Sequence, residues 1–125
     1  MGIITIIKKI GESYEWKNIY YKWNKKSIIK ILKKYEIEKA YIFGSYARND
    51  ANKNSDVDIM IVGGNKLKTL LDMINFEMKL EKILNKKVDV ICEEVYSEED
   101  DEEDGELARK LFLKNIIKER VKIYE

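Results

Sequence analysis

Two short apolar runs set the pattern of this chain. Tyr41-Ile42-Phe43 stops abruptly at Gly44-Ser45, and Val57 with Ile59-Met60-Ile61-Val62 follows a mostly small or polar stretch from Tyr46 to Ser55. Short apolar runs bounded by turn residues predict buried strands, here at about 39–43 and 57–62, the second ended by Gly63-Gly64. Lys87-Val88-Asp89-Val90-Ile91-Cys92 predicts a third strand, and Val121 to Tyr124 a short terminal one. Helical periodicity fills the gaps. A cap at Asn24 or Ser27 starts a helix to about Tyr35 with Ile28, Ile29, Leu32 and Tyr35 as its buried stripe. The longest helix is expected over Lys66 to Lys86, with Leu67, Leu70, Leu71, Ile74, Met78, Ile83 and Leu84 inside and Glu77 and Glu81 among the lysines outside. A last helix, at about Gly105 to Arg120, is expected to bury Leu107, Leu111, Phe112 and Ile116.

The first 23 residues are less regular. Ile3, Ile6, Ile7, Ile10 and Tyr14 follow helical spacing, yet Gly2 and Gly11 frame a run that also suits a strand. Tyr14, Trp16, Tyr20, Tyr21 and Trp23 make the segment aromatic, which fits core packing or a protein-docking surface.

The chemistry lies between and beside the strands. Gly44 permits a sharp turn and close approach of a ligand to the backbone. Ser45 suits the N-cap of a short helix, whose free N–H groups favour phosphate. Asp56 and Asp58 are two apart at a strand entry, so both face the same way. Two such carboxylates repel unless a cation lies between them, and hard oxygen ligands favour Mg²⁺ or Mn²⁺. Asp89 is an acid within an apolar strand, a placement that is costly for a charge unless it is paired or metal-bound. Arg48 is the expected phosphate-facing base, with an ion pair to Asp50 as the alternative, and Lys53 is expected to be solvated.

Composition narrows the class. With 125 residues, 45% apolar and 38% charged, the chain suits a single soluble domain. No apolar run reaches membrane-spanning length, and Met1 to Lys9 lacks the features of a secretory signal, so the cytoplasm is expected. The single cysteine, Cys92, is expected to be a small buried hydrophobe. The net charge of +1 hides a segregation, because Glu93 to Glu106 holds ten acids and no base. Outside that stretch 24 bases face 13 acids, a balance that suits a triphosphate or an acidic partner. The run Ser97 to Asp104 is expected to be a solvated loop, since its spacing is no metal-loop pattern.

A hydrophobic strand, Gly44-Ser45, a spacer and then Asp56-Val57-Asp58 together resemble the hallmark of the DNA polymerase beta-like nucleotidyltransferase superfamily. Gly44-Ser45-Tyr46-Ala47-Arg48-Asn49 is more closely similar to the motif of its minimal nucleotidyltransferases, with Asn49 where glycine is usual. Asn tolerates the left-handed conformation, so the turn is expected to survive. The resemblance covers about Asn24 to Glu125, which implies that residues 1–23 are an N-terminal aromatic-rich extension and 24–125 the minimal nucleotidyltransferase domain. It implies an α/β (α+β) fold, with a small mixed sheet and helices packed on one face. It also implies Asp56, Asp58 and Asp89 as metal-binding catalytic carboxylates, and Gly44, Ser45 and Arg48 as nucleotide- and phosphate-binding residues. Mg²⁺ or Mn²⁺ would be the cofactor and ATP the substrate. The minimal members look like antitoxin halves of two-gene modules, which implies transfer of AMP onto a tyrosine of a HEPN-domain ribonuclease toxin. A steric antitoxin and a small-molecule nucleotidyltransferase are the other two readings. A nucleic-acid partner is not expected, because no separate template-binding region is visible.

Overall fold

The computed structural model describes residues 25–97 and 103–125, so the aromatic segment before Lys25 lies outside the described residues. The elements are α1 (Lys25–Lys34), β1 (Lys39–Phe43), α2 (Ser45–Arg48), β2 (Val57–Val62), α3 (Leu70–Leu84), β3 (Val88–Cys92), α4 (Glu93–Ser97), α5 (Glu103–Glu119) and β4 (Val121–Tyr124). The four strands form one mixed sheet in the order β3-β2-β1-β4. β1 runs antiparallel to both β2 and β4, while β2 and β3 are parallel.

Strand alternation divides the sheet into two faces. Ala40 and Ile42 of β1, Val57, Ile59 and Ile61 of β2, and Val88 and Val90 of β3 share one face. They form the main core with Ile28 and Leu32 of α1 and Phe76, Leu80 and Leu84 of α3. The other face holds Tyr41, Phe43 and Met60, covered by Ile116 and Leu113 of α5. Helices α1 and α3 thus pack together on one face, and α5 adds a thinner layer on the other.

Helix α3 keeps only part of its expected stripe inside: Leu84 is buried and Leu67 and Ile83 pack against the core, but the middle of the stripe turns outward. Leu70, Leu71, Ile74 and Met78 are 77%, 65%, 42% and 60% exposed, whereas Phe76 and Leu80 are fully buried. Two apolar stripes compete on this helix, and the one carrying Phe76 fills the sheet. Glu77 and Glu81, expected outside, lie over β3 instead. Their carboxylates accept from the Val90 and Val88 N–H groups at 3.1 and 3.3 Å, covering edge-strand donors that no neighbouring strand takes among the described residues. Thr69 starts α3 with a capping box to Asp72, and Asn85 ends it at φ 52°.

The last helix corrects its expectation too. Ile116 is buried, but Leu107, Leu111 and Phe112 are exposed, because α5 touches the sheet mainly through its final turns. The acidic stretch is not all loop. Glu93 and Glu94 open α4, Glu103 and Asp104 begin α5, and residues 98–102 lie outside the described residues. Glu93 accepts from Arg120 at 2.8 Å, and the Arg120 guanidinium lies 3.9 Å from the Tyr41 ring centre. Together they fasten the exit of α5 to the sheet. Among the described residues, no helix is long and apolar enough to cross a membrane.

Candidate active site

Strand register gathers the site at one end of the sheet. Asp58 lies between Phe43 of β1 and Asp89 of β3, paired in register with both. Val121 pairs with Ile42, so the end of α5 arrives at the same end of β1. The exit of β1, the entries of β2 and β3, and the junction of α5 with β4 therefore converge. Asp58 and Asp89 project from the face covered by α5, opposite the main core.

Gly44 makes the turn out of β1 at φ 72° and ψ −151°, a conformation that suits glycine. Space requires it as well. A β-carbon there would lie 3.2 Å from Asp58 Cγ and would collide with its Oδ2. The turn thus presses bare backbone against the Asp58 carboxylate. Gly44, not Ser45, is the N-cap of α2, and no side chain caps that helix. Ser45 is its first residue and faces the cleft. Tyr46 is fully buried beneath the loop, and its hydroxyl reaches Ser55 O at 3.5 Å. Asn49 closes the turn at φ 64°, the left-handed conformation expected of it.

The loop to Asp56 is ordered by its own polar groups. Asn52 N–H donates to Ser55 Oγ at 2.9 Å, and Asn54 N–H donates to Asn52 Oδ1 at 2.8 Å. Ser55 N–H returns to Asn52 O at 3.0 Å, which leaves Asp56 at the entry of β2. Lys53 contributes its carbonyl, which accepts from Lys86 Nζ.

The electrostatics converge on Asp58. Its pKa is pushed up to about 6, first by burial and then by the charges of Asp89 and Asp56; Arg48 opposes this and Glu119 adds to it. Asp89 itself is exposed, so the cost of burying its charge is not what marks it; its register beside Asp58 is. Among the described residues, no three acidic or thiol side chains converge tightly enough to ligate one ion as they stand. The donor set still fits a hard divalent cation. It consists of carboxylate oxygens, and the repulsion felt at Asp58 is what such a cation would offset.

A cleft of about 650 Å³ opens over this end of the sheet, lined by Phe43, Gly44, Ser45, Arg48 and Asp58 and, from α5, by Phe112, Asn115, Ile116, Lys118 and Glu119. Arg48 pairs with Asp50 at 3.2 Å, as its alternative reading had it, and also with Glu119 at 3.3 Å. Glu119 accepts from the Gly44 N–H at 3.1 Å as well. No sequence signal marked Glu119, because 71 residues separate it from Arg48 and no motif spans them. Phe112, expected in the core, forms part of the cleft wall. Cys92 is half-buried against the main core, and burial pushes its thiol pKa up.

The Gly-Ser turn pressed on an Asp-x-Asp strand entry at one end of a mixed sheet is the arrangement that the resemblance to nucleotidyltransferases implies. The chain belongs to the polymerase beta nucleotidyltransferase family, whose model matches residues 26–125. It is 46% identical over 67 residues to MJ0435 of Methanocaldococcus jannaschii, a candidate protein adenylyltransferase; the match spans 54% of this chain and 71% of that one. It is 42% identical over 50 residues to the protein adenylyltransferase MntA of Thermococcus cleftensis, spanning 40% of this chain and half of that one. A second Methanocaldococcus jannaschii relative, MJ0126, is matched over 58% of its length at 43% identity. Among solved structures, the fold is shared with a toxin–antitoxin complex holding AMP-PNP (TM-score 0.61, 20% identity, 81% of this chain and 73% of that one). It is shared too with the complex of a tri-AMPylated HEPN toxin and its MNT antitoxin from Shewanella oneidensis (TM-score 0.55, 18% identity, 85% and 71%).

Proposed function

We propose that this chain is a protein adenylyltransferase that moves AMP from ATP onto a hydroxyl of a HEPN-domain toxin, a tyrosine being the expected acceptor, and so acts as its antitoxin. The observation that carries the reading is the Gly44 turn held against Asp58, with Asp89 in register beside it. Relatives named protein adenylyltransferases support the reaction class, and fold neighbours that are toxin–antitoxin complexes support the partner.

In this reaction the acceptor oxygen attacks the α-phosphorus of ATP. A new oxygen–phosphorus bond forms, the bond to the β-phosphate bridge breaks, and pyrophosphate leaves. The hydroxyl proton passes to the Asp89 carboxylate, directly or through water. Asp56, Asp58 and Asp89 would hold Mg²⁺ or Mn²⁺, which when bound supplies charge stabilisation for the entering and leaving oxygens. The bare Gly44 turn lets the Asp58 carboxylate approach the backbone, and Gly44, Ser45 and the Arg48 guanidinium line the cleft where the phosphates would lie. The mechanism needs no protein nucleophile.

The test is mass spectrometry of a HEPN-domain toxin after incubation with this protein, ATP and Mg²⁺. One or more AMP additions on tyrosine are expected. Asp58→Asn should abolish the transfer while leaving complex formation nearly intact, because the carboxylate acts on the transition state more than on docking. A toxin without added mass, exposed to protein shown to bind ATP, would overturn the enzymatic reading. One observation favours a second reading, a steric antitoxin. Leu70, Leu71, Ile74 and Met78 make an exposed apolar stripe on α3 of the kind that docks proteins. In that case Asp58→Asn neutralises the toxin as well as the parent does, with no mass change.

A further inference from the structure

Glu119 lies in the nucleotide cleft and holds the two groups best suited to phosphate. Its Oε1 accepts from the Gly44 N–H at 3.1 Å, and both of its oxygens lie 3.3 Å from one nitrogen of the Arg48 guanidinium. A carboxylate held by a backbone N–H and a guanidinium makes the same contacts that phosphate oxygens would make there. The position is otherwise a poor one for an acid, since Glu119 adds to the negative field already borne by Asp58. Its backbone is anchored on the far side. Arg120, the next residue, is fixed to Glu93 at 2.8 Å and lies over the Tyr41 ring. The Glu119 side chain can therefore leave the cleft by rotation, with the end of α5 still in place. Arg48 keeps Asp50 as a partner at 3.2 Å when it does.

We propose that Glu119 is an autoinhibitory carboxylate, an internal occupant of the phosphate seat that a triphosphate must displace. The inference rests on the reading of this cleft as a nucleotide site. Glu119 thus lowers the affinity of the resting protein for phosphate ligands, and its displacement frees the Gly44 N–H and the Arg48 fork together. It sets how readily the cleft fills, without taking part in the bond-making step.

The experiment measures binding of inorganic tripolyphosphate by calorimetry, without nucleotide or acceptor. Glu119→Gln should bind it roughly tenfold more tightly than the parent, since a seat occupied by its own side chain reduces apparent affinity by the fraction of time it is free. Adding Arg48→Gln to that variant should remove the gain. Equal or weaker binding by Glu119→Gln overturns the proposal, and so does failure of both proteins to bind. If Glu119→Gln melts, Glu119→Asp serves instead. Its shorter arm keeps the charge but withdraws from the seat, so it too should bind more tightly than the parent, and equal affinity overturns the proposal. Adenylyl transfer is assayed separately. A parent that transfers AMP without the affinity gain in Glu119→Gln leaves the enzymatic function standing and removes the inhibitory one. A gain in tripolyphosphate binding without any transfer supports the seat and removes the enzymatic reading.

Discussion

At Asp58, burial and two neighbouring acids act on one carboxyl and push its pKa up to about 6 from an ordinary 3.8. A raised carboxyl pKa means that the folded state binds the proton more tightly than the unfolded state. Asp58 is therefore without penalty below about pH 4, and its cost grows until the pH passes about 6. A shift of that size corresponds to at most about 3 kcal/mol, and the half-solvated site reduces it to about 1 kcal/mol. Urea unfolding at pH 4.5 and pH 8 should show Asp58→Asn gaining stability relative to the parent at the higher pH; equal pH profiles would refute the strain. Gly44 carries the complementary constraint. Gly44→Ala should cost about 1–3 kcal/mol for the positive-φ, extended-ψ backbone alone, and its β-carbon should displace Asp58 and weaken ATP binding. Both residues were legible in the sequence because their signal is local: a turn residue after an apolar run, and two acids at strand spacing. Glu119 was not, because its partnership with Gly44 exists only once β4 has paired with β1.

At the level of elements, the strands were easier to read than the orientation of the helices. Apolar runs at β1, β2 and β3 leave little choice of state, and both faces of the sheet are covered, so continuous hydrophobicity was the right cue. Helix α3 has more apolar residues than one face needs, and periodicity alone does not choose between stripes. The aromatic Phe76, stacked edge-on against Tyr35 at 5.0 Å, belongs to the stripe that wins. Leu80→Ala should accordingly cost about 2–5 kcal/mol, while Ile74→Ala and Leu71→Ala should stay within about 0.5 kcal/mol. Comparable losses from all three in denaturant titrations would show that the exposed stripe is packed after all. Glu77 and Glu81 were misplaced for a related reason. Their spacing suggested a lysine-rich solvent face, whereas the free N–H groups of edge strand β3 draw their carboxylates inward. Replacing both by Ala should lower the melting temperature and promote self-association through that edge, as read by light scattering.

For the molecule as a whole, one face of the sheet carries the main core and the other carries the candidate site. The main core joins α1 and α3 to three strands, whereas the opposite face gives Tyr41, Phe43 and Met60 to a thinner core and its end to acids. That division explains how a small domain tolerates Asp56, Asp58 and Asp89 together: their repulsion falls on an open end, away from Phe76 and Leu80. It also links stability to ligand. If the cleft takes a divalent cation with ATP as proposed, that ligand stabilises the folded state, and saturation at about a hundred times its Kd should add about 2.7 kcal/mol. In a domain of this size that raises the melting temperature by about 10 °C. The double variant Asp56→Asn with Asp58→Asn should behave in the opposite way. Free of ligand it should melt no lower than the parent, because two mutually repelling charges are gone. With Mg²⁺ and ATP it should gain little. Thermal scans of both proteins, with and without Mg²⁺ and ATP, read the two effects in one experiment. An undiminished ligand shift in the double variant would mean that these carboxylates do not hold the cation, and a much lower melting point without ligand would mean that they are structural.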